Sequence, residues 1–337
     1  MFSSGFAVSD RRLLQTRRLL GRQRTFPLVL GLTLALSLMM GTVSAQALPA
    51  GTDTQKATGE QLIGLLQAKQ LDQAITLGQQ AVVRWPQNAD FHHWLGIAYF
   101  QSGKNTEALG ELTQAAKLRP GDYDIHFDTA LVRLQERQYA AAAEQLQRAL
   151  RLKPDNALAH LLLGRAYQNS NRSLEAIEQF KTALRLKRDI ELGHYHLGYA
   201  YASLGRDPEA IAEYQREVAR GDADAEVYYQ LGHVLLQSGQ AQAAAENLQK
   251  ATARDSTRAD AFYDLGKALL ALKQTPAAVE ALRRCIALNS NDPSPHYQLS
   301  RALRLTGDTA GANSELQLFE QLRRQQPQTG GMASGVH

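Results

Sequence analysis

The sequence predicts an all-α fold, an α-solenoid of about eight helix–turn–helix repeats of 34 residues each. Three observations predict it. First, Leu-Gly pairs recur in one register, at residues 95–96, 163–164, 197–198, 231–232 and 265–266. Second, alanine recurs every 34 residues, as Ala74, Ala108, Ala142, Ala176, Ala210, Ala244, Ala278 and Ala312. Third, the apolar residues between these markers are three or four positions apart, which is the spacing of one helix face.

Each repeat is expected to contain two helices with a break at its fifteenth position. Glycine stands there in four repeats, as Gly103, Gly205, Gly239 and Gly307, and Asn171 stands there in another. These residue types readily adopt the left-handed conformation that ends a helix. Pro86, Pro120 and Pro154 end the second helix of the first three repeats, because proline cannot continue a helix. The solenoid therefore spans residues 55–326, with repeats starting at 55, 89, 123, 157, 191, 225, 259 and 293.

Residues 1–47 have the three-part pattern of a secretory signal peptide. A stretch rich in arginine ends at Arg24, an apolar run follows from about Phe26 to Met40, and small residues then permit cleavage after Ala45 or Ala47. The apolar run is shorter than the roughly 20 residues that span a bilayer, so cleavage is favoured over an uncleaved anchor in the inner membrane. We expect an exported protein, periplasmic or secreted, with a linker at 48–54 and a disordered tail at 327–337.

The basic charge of the chain belongs to this leader. Residues 1–47 carry six arginines and one acidic residue, Asp10, a net charge of +5, whereas the whole chain carries +4. The remaining residues therefore sum to about −1, and we infer no nucleic-acid partner. Contact with a membrane is expected only through an uncleaved leader.

The repeat resembles that of the tetratricopeptide family. The shared features are Leu-Gly, an aromatic residue such as Tyr99 three positions on, the periodic alanine, a further apolar and a small residue, and then proline. The resemblance implies a right-handed solenoid that binds protein segments. It also implies that positions 2, 5, 9, 12 and 13 of each first helix face a concave groove.

These groove positions supply the candidate binding residues. Four consecutive repeats carry tyrosine at position 5, and cations or a further tyrosine stand at positions 9 and 12. The candidates are Tyr195, Tyr199, Tyr229, Tyr263, Tyr297, Lys267, Arg301, Arg304 and Arg165. Tyrosine combines apolar area with a hydrogen-bonding tip, and cations can pair with carboxylates of a partner. The alternative is that the tyrosines only line the inside of the solenoid.

No motif in the sequence predicts catalysis, a cofactor or a metal site. Five histidines share the fourth position of their repeats, namely His92, His126, His160, His194 and His296. Equivalent positions of stacked helices are about 8–10 Å apart, whereas zinc ligands lie about 2 Å from the metal. We therefore expect these histidines to be packing residues, and Cys285, the single cysteine, to be a buried thiol.

Together these patterns predict a non-enzymatic adaptor or scaffold of the bacterial cell envelope that binds a partner segment along the groove. One alternative is an assembly factor for outer-membrane or exopolysaccharide machinery that uses its end caps or convex face, with Leu318 and Phe319 at the last cap. A second alternative is a repeat protein that binds or modifies glycans, with tyrosines stacking on sugar rings.

Overall fold

In a computed structural model of the chain, the structure describes residues 52–221 and 223–325. These described residues form sixteen α-helices and no strand. The helices are α1 (Thr52–Gln67), α2 (Leu71–Arg84), α3 (Ala89–Gln101), α4 (Asn105–Leu118), α5 (Tyr123–Gln135), α6 (Tyr139–Leu152), α7 (Ala157–Gln168), α8 (Ser173–Leu186), α9 (Gly193–Ala202), α10 (Asp207–Val218), α11 (Ala225–Gln237), α12 (Ala241–Arg254), α13 (Ala259–Ala271), α14 (Thr275–Leu288), α15 (Pro293–Leu305) and α16 (Thr309–Gln325).

Odd-numbered helices are the first helices of the repeats, and even-numbered helices are the second. The expected all-α solenoid of helical repeats is confirmed, with α1 starting three residues before the expected repeat and within the expected linker. The predicted signal peptide and the predicted disordered tail lie outside the described residues. None of the described helices is both long and apolar enough to cross a membrane.

The chain divides into two compact units, Met1–Ala166 and Tyr167–His337, which we call the N-terminal and C-terminal bodies. In the N-terminal body, each helix from α1 to α6 packs against the next one along the chain. The same holds from α8 to α16 in the C-terminal body. Each helix therefore buries its apolar face against its sequence neighbours, as repeat proteins do.

The periodic alanines lie at the centre of this packing. All eight, from Ala74 to Ala312, have no solvent-exposed surface. A small side chain on each second helix allows the first helix of the same repeat to approach closely. The register predicted from alanine is thus the register of the core.

The fifteenth position of every repeat has a positive φ angle. The value is 78° at Gly103, and it is also positive at Asn171. It is positive at Lys69, Arg137 and Lys273 as well, where the side chain makes this conformation unfavourable. The backbone requirement of the turn is therefore met in all eight repeats, in three of them by a lysine or an arginine.

Several first helices are capped at their N-terminus by a polar residue that ends the preceding repeat. The side-chain oxygen of Asn88 accepts the backbone N–H of Asp90 at 2.8 Å, and that of Asp122 accepts the N–H of Asp124 at 2.9 Å. Asp224 and Asp292 do the same for α11 and α15. Such caps satisfy backbone donors that have no partner inside the helix.

Candidate functional site

In the C-terminal body, the first helices of neighbouring repeats contact one another, α9 with α11, α11 with α13, and α13 with α15. Positions 5, 12 and 13 of a helix each lie three or four residues from position 9, so these four positions share one side of the helix. We call the surface formed by these positions on α9, α11, α13 and α15 the first-helix face. The candidate residues fall on it, except for Arg165, which lies on α7.

Two of the candidates have almost no surface to offer a partner. Arg165 is 6% exposed, and Tyr195 is 5% exposed. The Tyr195 hydroxyl donates to Glu226 Oε1 at 3.3 Å, and its ring contacts those of His196 and Tyr214. Burial, and then the charge of Glu226, raises the pKa of Tyr195 well above its usual value. Tyr195 is therefore part of the packing between α9 and α11.

Tyr229 is half-buried beneath a cation of its own chain. The guanidinium of Arg258 lies 4.2 Å from the centre of the Tyr229 ring. Arg258 also pairs with Glu226 of its own repeat, and with Asp260 of the next repeat at 3.0 Å. One face of the Tyr229 ring is thus occupied, and the arginine links two successive repeats.

Tyr263 and Lys267 form a second tyrosine–cation pair on α13. The Lys267 ammonium lies 5.3 Å from the centre of the Tyr263 ring and 3.5 Å from Asp264 Oδ1. The other oxygen of Asp264 is 2.6 Å from Nδ1 of His233 on α11. Lys267 keeps about two-fifths of its side chain exposed, whereas Asp264 is buried, so the positive charge is on the surface.

A pocket of about 370 Å³ opens between α11, α13 and α15. Lys267 and Arg301 line it together with Leu236, Leu270 and Leu305. Leu305 is 70% exposed, so most of its side chain is open to a ligand. Arg301 is exposed and donates to Gln298 Oε1 at 3.1 Å. Two cations and three leucines therefore line the same pocket.

Tyr199 is half-buried on α9, and its ring centre lies 6.4 Å from that of Tyr195. The last two candidates, Tyr297 and Arg304, lie on α15. Tyr297 is 41% exposed, and its ring centre is 5.2 Å from that of Phe319 on α16. Arg304 is exposed at the end of α15. Of the nine candidates, the structure thus gathers Lys267 and Arg301 at one pocket, leaves Tyr297 and Arg304 on the open surface, and buries Tyr195 and Arg165.

Four of the five repeated histidines contact the second helix of their own repeat, and several of their rings also reach the end of the preceding repeat. Nδ1 of His92 lies 2.6 Å from Glu111 Oε2, and Nε2 lies 3.1 Å from the Pro86 carbonyl oxygen. The same contact to the second helix recurs at His126, His194 and His296. These side chains join the two helices of a repeat, as the packing interpretation expected.

Two observations concern metal binding and the reactivity of the single cysteine. Within residues 52–221 and 223–325, no group of three or more potential ligands is arranged to hold a metal ion. Cys285 is 3% exposed, and burial raises the pKa of its thiol to about 12. A protonated buried thiol is a poor nucleophile.

Sequence reasoning identified the cations of the pocket but not its leucines. Leu236, Leu270 and Leu305 occupy positions 12 and 13, which the resemblance had assigned to the groove. They were overlooked because leucine in a helix predicts core. His233 and Arg258 carry no local signal for another reason. Asp264, the partner of His233, is 31 residues away in the next repeat, and Glu226, the partner of Arg258, stands 32 residues earlier in the chain.

Comparison with known families identifies the repeat. One tetratricopeptide repeat model matches residues 161–225 and 229–293, a second matches 65–131, and a TPR repeat model matches 132–171. Together the matches cover most of the described chain. No curated protein sequence matches the chain.

Solved structures show the same fold at low sequence identity. A tetratricopeptide repeat protein from Parabacteroides merdae is 16% identical, with a TM-score of 0.54 over 74% of this chain and 98% of that one. YrrB, described as a TPR protein with an unusual peptide-binding site, is 17% identical, with a TM-score of 0.51 over 54% of this chain and 94% of that one. Proteins of this kind are generally non-catalytic adaptors or scaffolds that bind other proteins. On these matches, the chain belongs to the tetratricopeptide repeat family.

Proposed function

We propose that this protein-binding scaffold holds an extended segment of a partner along the first-helix face of its C-terminal body. An acidic side chain of that segment pairs with Lys267 and Arg301, and neighbouring apolar side chains pack on the leucines of the pocket between α11, α13 and α15. The partner is a protein with alternating acidic and apolar residues.

The observation that carries this proposal is the composition of the pocket. Leu305 is 70% exposed within reach of two cations. Covering a leucine removes apolar area from water and contributes about 1.5–3 kcal/mol when burial is complete. An exposed ion pair contributes only about 0–1 kcal/mol, so the leucines supply affinity and the cations supply selectivity.

The tyrosines are consistent with the same surface. Tyr263 lies beneath Lys267 and fixes its ammonium near the ring, while Tyr297 presents two-fifths of its surface beside α15. Aromatic side chains with a polar tip are common in recognition surfaces. The likeness to YrrB concerns the fold, and the support for a bound segment comes from the residues of this chain.

Fluorescence anisotropy with labelled peptides tests the proposal. We expect a peptide of alternating leucine and aspartate to bind residues 48–337, and a peptide of alternating leucine and lysine not to bind. Lys267→Ser with Arg301→Ser should weaken binding at least about tenfold, or about 1.4 kcal/mol. The matched control is Arg185→Ser with Arg283→Ser, which removes two exposed cations from second helices.

Two results would contradict binding at the pocket on the first-helix face. Equal binding of the acidic and basic peptides would show that charge plays no part in recognition. Equal losses in the Lys267/Arg301 and the Arg185/Arg283 variants would show that general charge, rather than this pocket, attracts the peptide. Retained helical circular dichroism in every variant is the folding control.

The last helix offers a second surface, as an assembly role would require. Within α16, Ala312 is fully buried, whereas Leu318 is 39% exposed. Leu318→Ser should leave peptide binding unchanged if the pocket is the site. Loss of a larger assembly in the same variant, with peptide binding intact, would favour the end-cap function instead.

We further propose that the scaffold acts outside the bacterial cytoplasm. The support is the signal-like pattern of residues 1–47, which lie outside the described residues. Expression of the full chain, followed by fractionation and mass measurement, is the test. A periplasmic or secreted product beginning at Gln46 or Leu48 supports export, a full-length membrane product indicates the uncleaved anchor, and a full-length cytoplasmic product contradicts both.

A further inference from the structure

The third repeat departs from repeats 2 and 4–8 at two positions of its core. Position 7 is leucine in repeats 2 and 4–8, and position 11 is tyrosine or leucine in the same repeats, all of them buried. These residues are Leu95, Leu163, Leu197, Leu231, Leu265 and Leu299, and Tyr99, Tyr167, Tyr201, Leu235, Leu269 and Leu303. The third repeat has Thr129 and Arg133 instead. A smaller side chain and a charged one thus replace two apolar groups.

A pocket lies at this departure, within the N-terminal body. It has a volume of about 370 Å³ and is bounded by α4, α5 and α6. Its lining includes four cations, Lys117, Arg133, Arg148 and Arg151, and it includes no carboxylate. Charge of one sign gathered around a concave site favours an anion.

The residue at position 23 also favours an anion in this pocket. In repeats 2, 5 and 8 this position is a glutamate that lies 2.6 Å from the histidine at position 4. In the third repeat it is Gln145, whose Oε1 lies 2.8 Å from His126 Nδ1. The hydrogen bond to the histidine is kept, but the negative charge that would repel an anion is absent from the pocket wall.

Arg133 has an N–H group that is available to bind an anion. Its Nη1 donates to Gln138 Oε1 at 2.8 Å, whereas its Nε is buried and has no hydrogen-bond partner among the described residues. A buried donor without an acceptor is unfavourable, because it has lost its hydrogen bonds to water. An oxyanion in the pocket would supply the acceptor and recover this cost.

We propose that this pocket binds a phosphate dianion, either as inorganic phosphate or as the phosphate of a monoester. Guanidinium groups match the oxygens of phosphate with paired N–H donors, and three arginines from two helices line the site. Two negative charges are a better match than one for a lining of four cations. The site is separate from the first-helix face, so it does not depend on the proposed partner segment.

Titration calorimetry of residues 48–337 in phosphate-free buffer tests this site. The probes are inorganic phosphate and glycerol phosphate. Arg133→Tyr restores the residue type found at Tyr99, and it should fold normally while weakening binding at least about tenfold, or about 1.4 kcal/mol. Gln145→Glu, which introduces the glutamate found in repeats 2, 5 and 8, should also weaken binding. Lys104→Gln, on an exposed cation outside the pocket, is the matched control.

The outcomes separate the two sources of phosphate. Binding of both probes supports a site that needs only the phosphate group, and binding of glycerol phosphate alone supports a monoester site. Heat of binding for neither probe would overturn the proposal. So would binding that is equal in wild type, Arg133→Tyr and Gln145→Glu, because the pocket would then be irrelevant to the ion.

Discussion

Gly96 on α3 faces Leu112 on α4 so closely that a β-carbon added to Gly96 would lie 2.7 Å from Leu112 Cγ. The same approach joins Gly232 to Leu248 and Gly266 to Leu282. The Leu-Gly pairs of the sequence are therefore contact points between the two helices of a repeat.

We expect Gly96→Ala to lower the free energy of unfolding by about 1–3 kcal/mol, because the core must shift to admit a methyl group. Chemical denaturation with circular dichroism measures the change. Gly110→Ala is the matched control, since Gly110 is exposed within α4 and nothing lies within 4 Å of its added β-carbon. The control should stabilise the helix by up to about 1 kcal/mol. Destabilisation of equal size in both variants would contradict the close-contact explanation.

Lys273 holds a φ angle of 61° at the turn of the seventh repeat. A left-handed conformation costs a residue with a β-carbon about 1–2 kcal/mol, and glycine adopts it freely. We expect Lys273→Gly to raise the midpoint of thermal unfolding, despite the greater freedom of glycine in the unfolded chain. Lys56→Gly, at an exposed position of α1, should lower it. A fall in both variants would show that the turn at Lys273 carries no strain.

Glu217 is buried on α10, where its Oε2 accepts the backbone N–H of Tyr195 at 3.2 Å. Burial raises the pKa of Glu217, and the nearby Arg220 only partly opposes this shift. A carboxyl group whose pKa is higher in the folded state binds its proton more tightly there, so its contribution to stability is lost as pH rises through that pKa.

We therefore expect Glu217→Gln, which keeps an acceptor for Tyr195, to gain stability relative to wild type as pH rises above about 4.5, the usual glutamate value. Thermal unfolding of both proteins across the pH range is the measurement. A stability difference that does not change with pH would mean that Glu217 titrates alike in the folded and unfolded chains.

Cys285 should be unreactive while the chain is folded. Its thiol is 3% exposed, and burial raises its pKa to about 12, so little thiolate forms near neutral pH. A colorimetric disulfide reagent should label it slowly in buffer and rapidly in denaturant. Equal rates in the two conditions would show that the second helix of the seventh repeat opens readily.

The period, the helix breaks and the buried alanines could all be predicted from the sequence, because each depends on contacts within one repeat. Lys69, Arg137 and Lys273 carry no local signal for a left-handed turn, and only their register reveals it. The burial of Tyr195 was not predictable from its own repeat, since its hydroxyl partner Glu226 lies on the next one. Contacts between repeats depend on pairs of positions, which a single repeated pattern does not specify.

The candidate pocket could likewise be predicted only in part from the sequence. Lys267 and Arg301 could be predicted as groove residues from their register alone. The participation of Leu305 depends on α15 lacking a further first helix beside it within the described residues, so its exposure became visible only in three dimensions.

The uniform turn of the repeats has a consequence for how such a gene can change. Because every repeat has the same length and the same backbone conformation at its fifteenth position, removing residues 225–258 would join Asp224 to Ala259, a junction between two natural helix starts. Duplicating the same segment would be equally seamless. Recombination between repeats could therefore lengthen or shorten the binding surface by whole repeats, without creating a helix connection of a type that the chain lacks.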